Sequence, residues 1–390
     1  MYLFLLIPLF GIRFGFTWWI SIATLGLIFG VMLFPRLFEL NTIYPFVISG
    51  ILALPMFSAT LLDSDASQKD LLRTSREFLC ILLILILFNS KIKSIALDSK
   101  SLIRVLRVFL YSTLILTIVQ YFLFKRGVYL GPTEGAFGGR GAITPKALDL
   151  KYSKLRPSSL YAEPSYLAFV ILIVLIILAM LILNNEKVGD LYIVAGLILI
   201  VSQSRSGLVF LVLISTFLYL DKRTRQNMRK GRLTDFSIVM LSLVILSQVL
   251  PNYLLSDSFR VRFLYPFEEV INALNSNLLG VPFYSRINGT TEILNLRWIK
   301  ILDNSFYSLV FSYGLIGICI ILVTLLSARK DKYLFVMVTA AFLQNGSVFD
   351  FDKVVLLLLG YSITSILKQD RLQAENKRSK IPRSHRRAFS

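Results

Sequence analysis

Histidine is almost missing. One residue, His385, sits near the C-terminus of a 390-residue chain. With no HExxH, no CxxC and no histidine cluster, a protein-held zinc site lacks ligands, and no metal or cofactor is expected. The two cysteines, Cys80 and Cys319, both lie in apolar stretches, so no disulfide framework is implied. There is no Walker or GxGxxG loop to cradle nucleotide phosphates, which argues against ATP-driven work. Acidic residues are few: 23 Asp and Glu against 42 Lys and Arg, a formal charge of +19. Such a charge would suit a nucleic-acid binder, but here the basic residues fall in loops between apolar runs. They read as orientation signals and as partners for anionic lipid or phosphate, with no nucleic acid. The first segment lacks a basic n-region and an A-x-A site, so it reads as an anchor and not as a cleaved signal.

Apolar sequence is what the chain has in quantity: 55% of residues, with a mean hydropathy of +0.69. That composition predicts an all-α, polytopic membrane protein. Apolar runs occur at 2–12, 14–34, 42–62, 78–89, 102–124, 166–183, 191–220, 236–254, 305–326, 333–348 and 354–367. Arg13 makes 2–34 a tight hairpin, a single long tilted helix being the alternative. A 30-residue helix over 191–220 would be about 45 Å long against a hydrocarbon core of about 30 Å, so that run reads as two short spans. The total is about twelve transmembrane helices. Residues 63–75 read as a polar loop, and no internal repeat is visible.

Basic clusters at 91–104, 221–233, 329–332 and 368–387 mark the cytoplasmic side. The parity then puts both termini in the cytoplasm and two long loops, 125–164 and 255–304, outside. Residues 1–367 form one membrane domain, and the basic tail 368–390 reads as disordered.

The run 191–220 is interrupted by Ser202-Gln203-Ser204-Arg205-Ser206-Gly207. An arginine inside such a run costs several kcal/mol in lipid, by most estimates, and such residues usually mark a pathway or substrate site. The plainer alternative is a solvated arginine at a turn. If Arg205 lies on the turn, it becomes a basic point at the floor of an outward-facing cavity.

Other candidates cluster on the same expected side. Arg156 and Glu163 fall together in Arg156-Pro157-Ser158-Ser159-Leu160-Tyr161-Ala162-Glu163-Pro164-Ser165-Tyr166, with Pro164 suited to a first helical turn. Glu163 as a carboxylate stabilised by a helix dipole is an equal reading. Arg260 and Arg262 stand in the second long loop. Asp303-Asn304 precedes the 305–326 span, where an aspartate could act as general base or simply cap the helix. Arginine suits a diphosphate because its planar fork donates two parallel hydrogen bonds. Several arginines around one cavity could stabilise a leaving diphosphate as a cation does elsewhere.

These pieces occur in a set order: the Arg156–Ser165 stretch, the Arg205 turn, Arg260-Val261-Arg262, Leu279-Gly280-Val281-Pro282, Asp303-Asn304-Ser305-Phe306-Tyr307 and Tyr313-Gly314-Leu315-Ile316-Gly317. The order resembles the bacterial O-antigen polymerase and O-antigen ligase superfamily, the Wzy-type membrane glycosyltransferases, from about Arg156 to Gly317 and, by span count, over the whole chain. The resemblance implies a GT-C-like membrane fold in the bacterial cytoplasmic membrane. It also implies a metal-independent, inverting glycosyl transfer on the outer face, with undecaprenyl diphosphate as leaving group. The partners would be an undecaprenyl-diphosphate-linked oligosaccharide and membrane lipid, with a chain-length regulator and a flippase as further candidates.

By motif position, Asp303, Glu163 and Arg205 would be catalytic, and Arg156, Arg205, Arg260 and Arg262 would bind the diphosphate. The ligase branch has a His-Asn pair where this chain has Asp303-Asn304, which leaves the base open and counts against ligase. The Glu-Pro-Ser form at Glu163 resembles polymerases of O-antigen, capsule and exopolysaccharide, so a polymerase is favoured over a ligase. A flippase or transporter ranks third, because that class shows breaks at matching places in two halves and the sequence offers one, at Arg205.

Overall fold

The computed structural model describes residues 38–40, 43–61, 68–92, 97–128, 130–131, 156–161, 164–226, 251, 254–255, 264–276, 278, 305–343 and 351–379. The expected hairpin at 2–34 and span at 236–254 lie outside the described residues, apart from 251 and 254.

Helices α1 (Tyr44–Leu61) and α2 (Gln68–Asn89) form an antiparallel pair, with Phe57 and Phe78 meeting edge to face at 5.8 Å. A departure from all-α follows directly. The chain entering this pair, β1 (Phe38–Leu40), and the chain leaving it, β2 (Ser90–Ile92), make a short antiparallel ribbon with Glu39 opposite Lys91. The polar loop expected over 63–75 is also shorter than read. Helix α2 already runs from Gln68, because 68–89 contains no glycine or proline to stop it. It therefore carries Arg76 and Glu77 into the bundle.

Helix α3 (Ser99–Lys125) is capped by Asp98, whose carboxylate accepts from the Lys100 amide at 3.1 Å. Its buried residues, among them Leu102, Leu106, Phe109, Thr113, Thr117, Gln120 and Phe124, recur at helical spacing. Its other face exposes Val108, Tyr111, Ile115 and Phe122. A helix apolar on its outward face fits a lipid surround.

Helix α4 (Pro164–Leu183) is apolar all round and buried over nearly its full length, so it is the central rod. After it come α5 (Gly189–Val201) and α6 (Arg205–Gln226), so the 191–220 run is two helices, as its length required. Helix α7 (Tyr265–Ser276) lies within the second long loop, where none was expected. Its Val270 is buried while Phe267 and Ile271 are exposed, a face split that the loop's charge content concealed. Helices α8 (Ser305–Ala328), α9 (Lys332–Leu343) and α10 (Phe351–Ser379) follow. Helix α10 continues well into the stretch read as a disordered tail, since its lysines, glutamines, glutamate and arginines favour helix and no proline intervenes before Pro382.

By length and composition, α3 and α4 are long and apolar enough to cross a membrane, α8 reaches that length only with the two arms that meet at Gly314 counted together, and α1, α5 and α9 are shorter apolar helices. Lipid supplies no hydrophobic force between helices, so close approach at small residues carries much of the packing. A Cβ at Gly207 would meet Leu199 at 2.8 Å and the Ala168 Cβ at 3.0 Å, and one at Gly360 would meet Ile173 at 2.8 Å and the Met337 sulfur at 3.0 Å. Gly207 and Ala168 are each near the start of their helix, so α4 and α6 run in the same direction with α5 returning between them.

The bundle has two distinct ends. At one, Lys332 bonds Asp221 at 2.5 Å, Lys368 bonds Asp331 at 2.7 Å, Asn184 donates to the Leu367 carbonyl at 3.0 Å, and Arg107 meets Asp190 at 3.3 Å. This is the Asp221 end. The Gly207–Ala168 contact lies toward the other, the Arg205 end.

Candidate functional site

The Arg205 turn is built from backbone geometry. Helix α5 ends when Gln203 takes a left-handed conformation, φ 53. The Gln203 amide then donates to the Ile200 carbonyl at 3.0 Å and the Ser204 amide to the Leu199 carbonyl at 3.3 Å. These are the two reversed bonds that close a helix at a left-handed residue. Ser204 at once caps the next helix, its Oγ accepting from the Gly207 amide at 3.3 Å. Arg205 is thus the first residue of α6, and its side chain is exposed while Ser202 and Ser204 are buried beneath it.

The segment before α4 is held from below by one amide. Gln120, fully buried on α3, donates to the Ser159 carbonyl at 2.6 Å and the Leu130 carbonyl at 2.8 Å. Its Oε1 accepts from the Ser158 and Ser159 amides at 3.0 and 2.7 Å. Ser159 is left-handed, φ 57, and Ser158 Oγ donates to the Tyr161 carbonyl at 2.7 Å. The turn so fixed leaves Arg156 exposed and buries Tyr161 against Tyr166, ring centroids 5.6 Å apart. Burial raises the Tyr161 phenol well above its usual range, so it stays protonated.

The Gly207–Ala168 approach joins these two pieces. Arg205 is two residues before Gly207 and Pro164 four before Ala168, so the starts of α4 and α6 lie side by side. Two adjacent helix N-termini carry partial positive charge and suit an anion, and Arg205 adds a full charge to them. Of the residues singled out in the sequence, the structure describes Arg156 and Arg205, both exposed and both at this end. Glu163, Arg260, Arg262 and Asp303 lie outside the described residues.

The expected continuous 305–326 span is not one rod. Gly314 has φ 54 and ψ −130, a conformation that favours glycine, and helix α8 breaks there. The two arms fold against each other. A Cβ at Gly317 would lie 2.2 Å from the Leu309 carbonyl oxygen, so only hydrogen fits. Past the break, the Leu315 amide donates to the Leu278 carbonyl at 3.0 Å. Arm 305–313 stacks Phe306 on Phe342 of α9 at 4.9 Å and sets Tyr307 edge-on to Phe267 of α7 at 6.5 Å. Counted along straight helices from the Lys332–Asp221 pair, Phe342 is about 15 Å up and Arg205 about 24 Å up. The start of the arm therefore sits deeper in the bundle than the Arg205 turn.

Among the described residues, two buried charges escaped the sequence reading because they flank spans. Glu77 is 5% exposed on α2 and accepts from the Tyr313 hydroxyl at 2.6 Å, and Lys353 is 1% exposed in the first turn of α10. The signal was available in Glu77: no helix breaker separates it from the apolar run that follows.

A family model described as WcaD colanic acid polymerase matches residues 2–364, most of the chain and all of the site elements above. The chain belongs to the WcaD colanic acid polymerase family. No curated protein matches it significantly. Membership of the WcaD family makes it a polysaccharide polymerase, a glycosyltransferase-type enzyme of polysaccharide biosynthesis, and its apolar helices fit a membrane protein. The family also decides the order of the sequence alternatives in favour of polymerase over ligase and transporter. The break at Gly314 is a second interruption, but it is a glycine reversal inside one apolar run and does not mirror the capped Arg205 turn.

Proposed function

We propose that this chain joins polysaccharide repeat units on the outer face of the bacterial cytoplasmic membrane. A growing glycan leaves undecaprenyl diphosphate and passes to a lipid-linked repeat unit. An acceptor hydroxyl attacks the anomeric carbon, the bond from that carbon to the phosphate oxygen breaks, and the diphosphate departs with the bond's electrons. A single displacement of this kind inverts the anomeric centre. Asp303 takes the hydroxyl proton, and Glu163 is the second catalytic carboxylate. Arg205, Arg156 and one of Arg260 or Arg262 bind the diphosphate and stabilise its developing charge without a metal.

The observation that carries this reading is the Gly207–Ala168 approach, which sets the Arg205 turn beside the Arg156 mouth in a chain of a polymerase family. Orientation is supported by the Asp221 end, where Lys222, Arg329, Lys330 and Lys332 are all exposed, as expected for a cytoplasmic face. Colanic acid, the polymer in the family's name, is the first product to test.

The direct experiment uses purified protein in detergent with a lipid-linked repeat unit. A ladder of longer lipid-linked glycans is expected, and no extension contradicts the reading. In cells lacking the gene, acceptor lipid carries single repeats. Long polymer left on undecaprenyl diphosphate in those cells would instead identify a ligase.

A further inference from the structure

A buried carboxylate in an apolar helix bundle is costly, and such groups are held by specific partners and tied to function. Glu77 is the buried carboxylate on α2, and the partner on view is the phenol of Tyr313, the residue immediately before the Gly314 break. Their 2.6 Å separation is in the range of hydrogen bonds from a hydroxyl to an ionised oxygen, roughly twice as strong as neutral ones. Tyr313 is itself buried at 3% exposure, so the bond is shielded from competing water.

The place of this bond gives it a purpose. Arm 305–313 has one end joined to the reversal at Gly314, and its far end begins at the fully buried Ser305. Between these ends, aromatic contacts to α7 and α9 hold its faces, and the close approach of Gly317 to Leu309 holds its back. The Glu77–Tyr313 bond is directional. It ties the arm to α2, an element with no link in sequence to α8.

We infer that Glu77 and Tyr313 are positioning residues for the polymerase reaction: their hydrogen bond locks the rotation and depth of arm 305–313, and so the place of Ser305, two residues after Asp303 in the sequence. The inference rests on the reading above that the base, Asp303, precedes this arm. Glu77 and Tyr313 do not touch substrate. They act through the arm, so their loss lowers turnover and leaves binding of lipid-linked substrate nearly unchanged.

The test uses full-length protein with Cys319→Ser, since Cys319 is exposed and Cys80 is buried. Tyr313→Phe removes the hydroxyl and keeps the ring, Glu77→Gln keeps an acceptor, and Glu77→Ala removes it. In extension assays, Tyr313→Phe and Glu77→Ala are expected to lower kcat about tenfold with KM within about twofold. Glu77→Gln is expected to retain most of the rate, and the Tyr313→Phe/Glu77→Gln pair to be no worse than Tyr313→Phe. A second readout is independent of polymerisation: the rate at which a maleimide modifies Ser308→Cys on the arm. Tyr313→Phe is expected to raise that rate at least fivefold.

Unchanged labelling overturns the latch whatever the enzyme does. Faster labelling with unaltered kcat overturns the positioning role. If the wild-type protein extends nothing while labelling still responds to Tyr313→Phe, the lock stands and the reading of function fails.

Discussion

The chain interrupts its apolar helices twice in the described residues, and it does so by opposite means. Between α5 and α6 the break is made by caps: a left-handed Gln203 closes α5 through backbone bonds, the Ser204 hydroxyl opens α6, and Arg205 is left exposed. Within α8 the break is made by missing side chains. Gly314 reverses the chain, Gly317 lets the arms touch, and the polar group beside the reversal, Tyr313, is buried on Glu77. A capped break tolerates water and can present charge to a ligand. A glycine break excludes water and can fix geometry. The comparison assigns binding to the first and positioning to the second, and it breaks if substitutions at the two places fail in the same way.

The largest effect is expected at the first break. Arg205→Ala removes the charge without touching the cap, so glycan profiles of cells carrying it should show single repeats in place of a ladder, with the protein still in the membrane by immunoblot. Arg205→Lys should also lose most polymer, because a lysine cannot make the paired contact of a guanidinium. Wild-type polymer in either would remove Arg205 from the site.

Next comes Gly317→Ala. Its Cβ meets backbone, not a movable side chain, so the arms must part, at a cost on the order of 1–3 kcal/mol or more. Polymer is expected to fall at least tenfold. Gly196→Ala is the control, since its Cβ would find Leu211 at an ordinary 3.6 Å, and it should behave as wild type. Equal phenotypes for the two alanines would deny the second break its special geometry.

Gln120→Leu should have a smaller effect. It strands three backbone groups of the buried Ser158 and Ser159 and also frees the carbonyl of the exposed Leu130, with an expected loss on the order of 2–3 kcal/mol. A lower Tm in detergent and a several-fold drop in polymer should appear together. An unchanged Tm would mean that the mouth before α4 is held by other contacts. Smallest of all is Arg107→Ala. The pair with Asp190 is about half exposed on both sides and distant from both breaks. Such pairs contribute about 0–1 kcal/mol, so Tm and polymer should stay at wild-type levels.

The two breaks also differ in how readable they were. Ser202–Gly207 is polar in an apolar run too long for one span, so the turn could be placed from length and charge. Tyr313–Gly317 is apolar and aromatic, and membrane helices often carry glycine, so nothing local separates a reversal from a continuous span. Gln120 was hidden because a lone amide in an apolar run says nothing of the loop it will hold. Glu77 and Lys353 were hidden because each stands one residue outside an apolar run, 78–89 and 354–367. Their burial is a consequence of where α2 and α10 start, and helix starts are set by tertiary packing as much as by local sequence. The pairing of the Arg205 turn with the Arg156 mouth depends on Gly207 meeting Ala168, a contact between helices that no spacing along the chain encodes.

The central claim is that the Arg205 end faces away from the cytosol. It is tested most directly by labelling single cysteines in intact cells with a membrane-impermeant maleimide, in a Cys319→Ser background. The account predicts that Arg205→Cys is modified in intact cells and that Lys222→Cys, at the opposite end of α6, is modified only after the membrane is opened. Modification of Lys222→Cys from outside, with Arg205→Cys protected until permeabilisation, would contradict it.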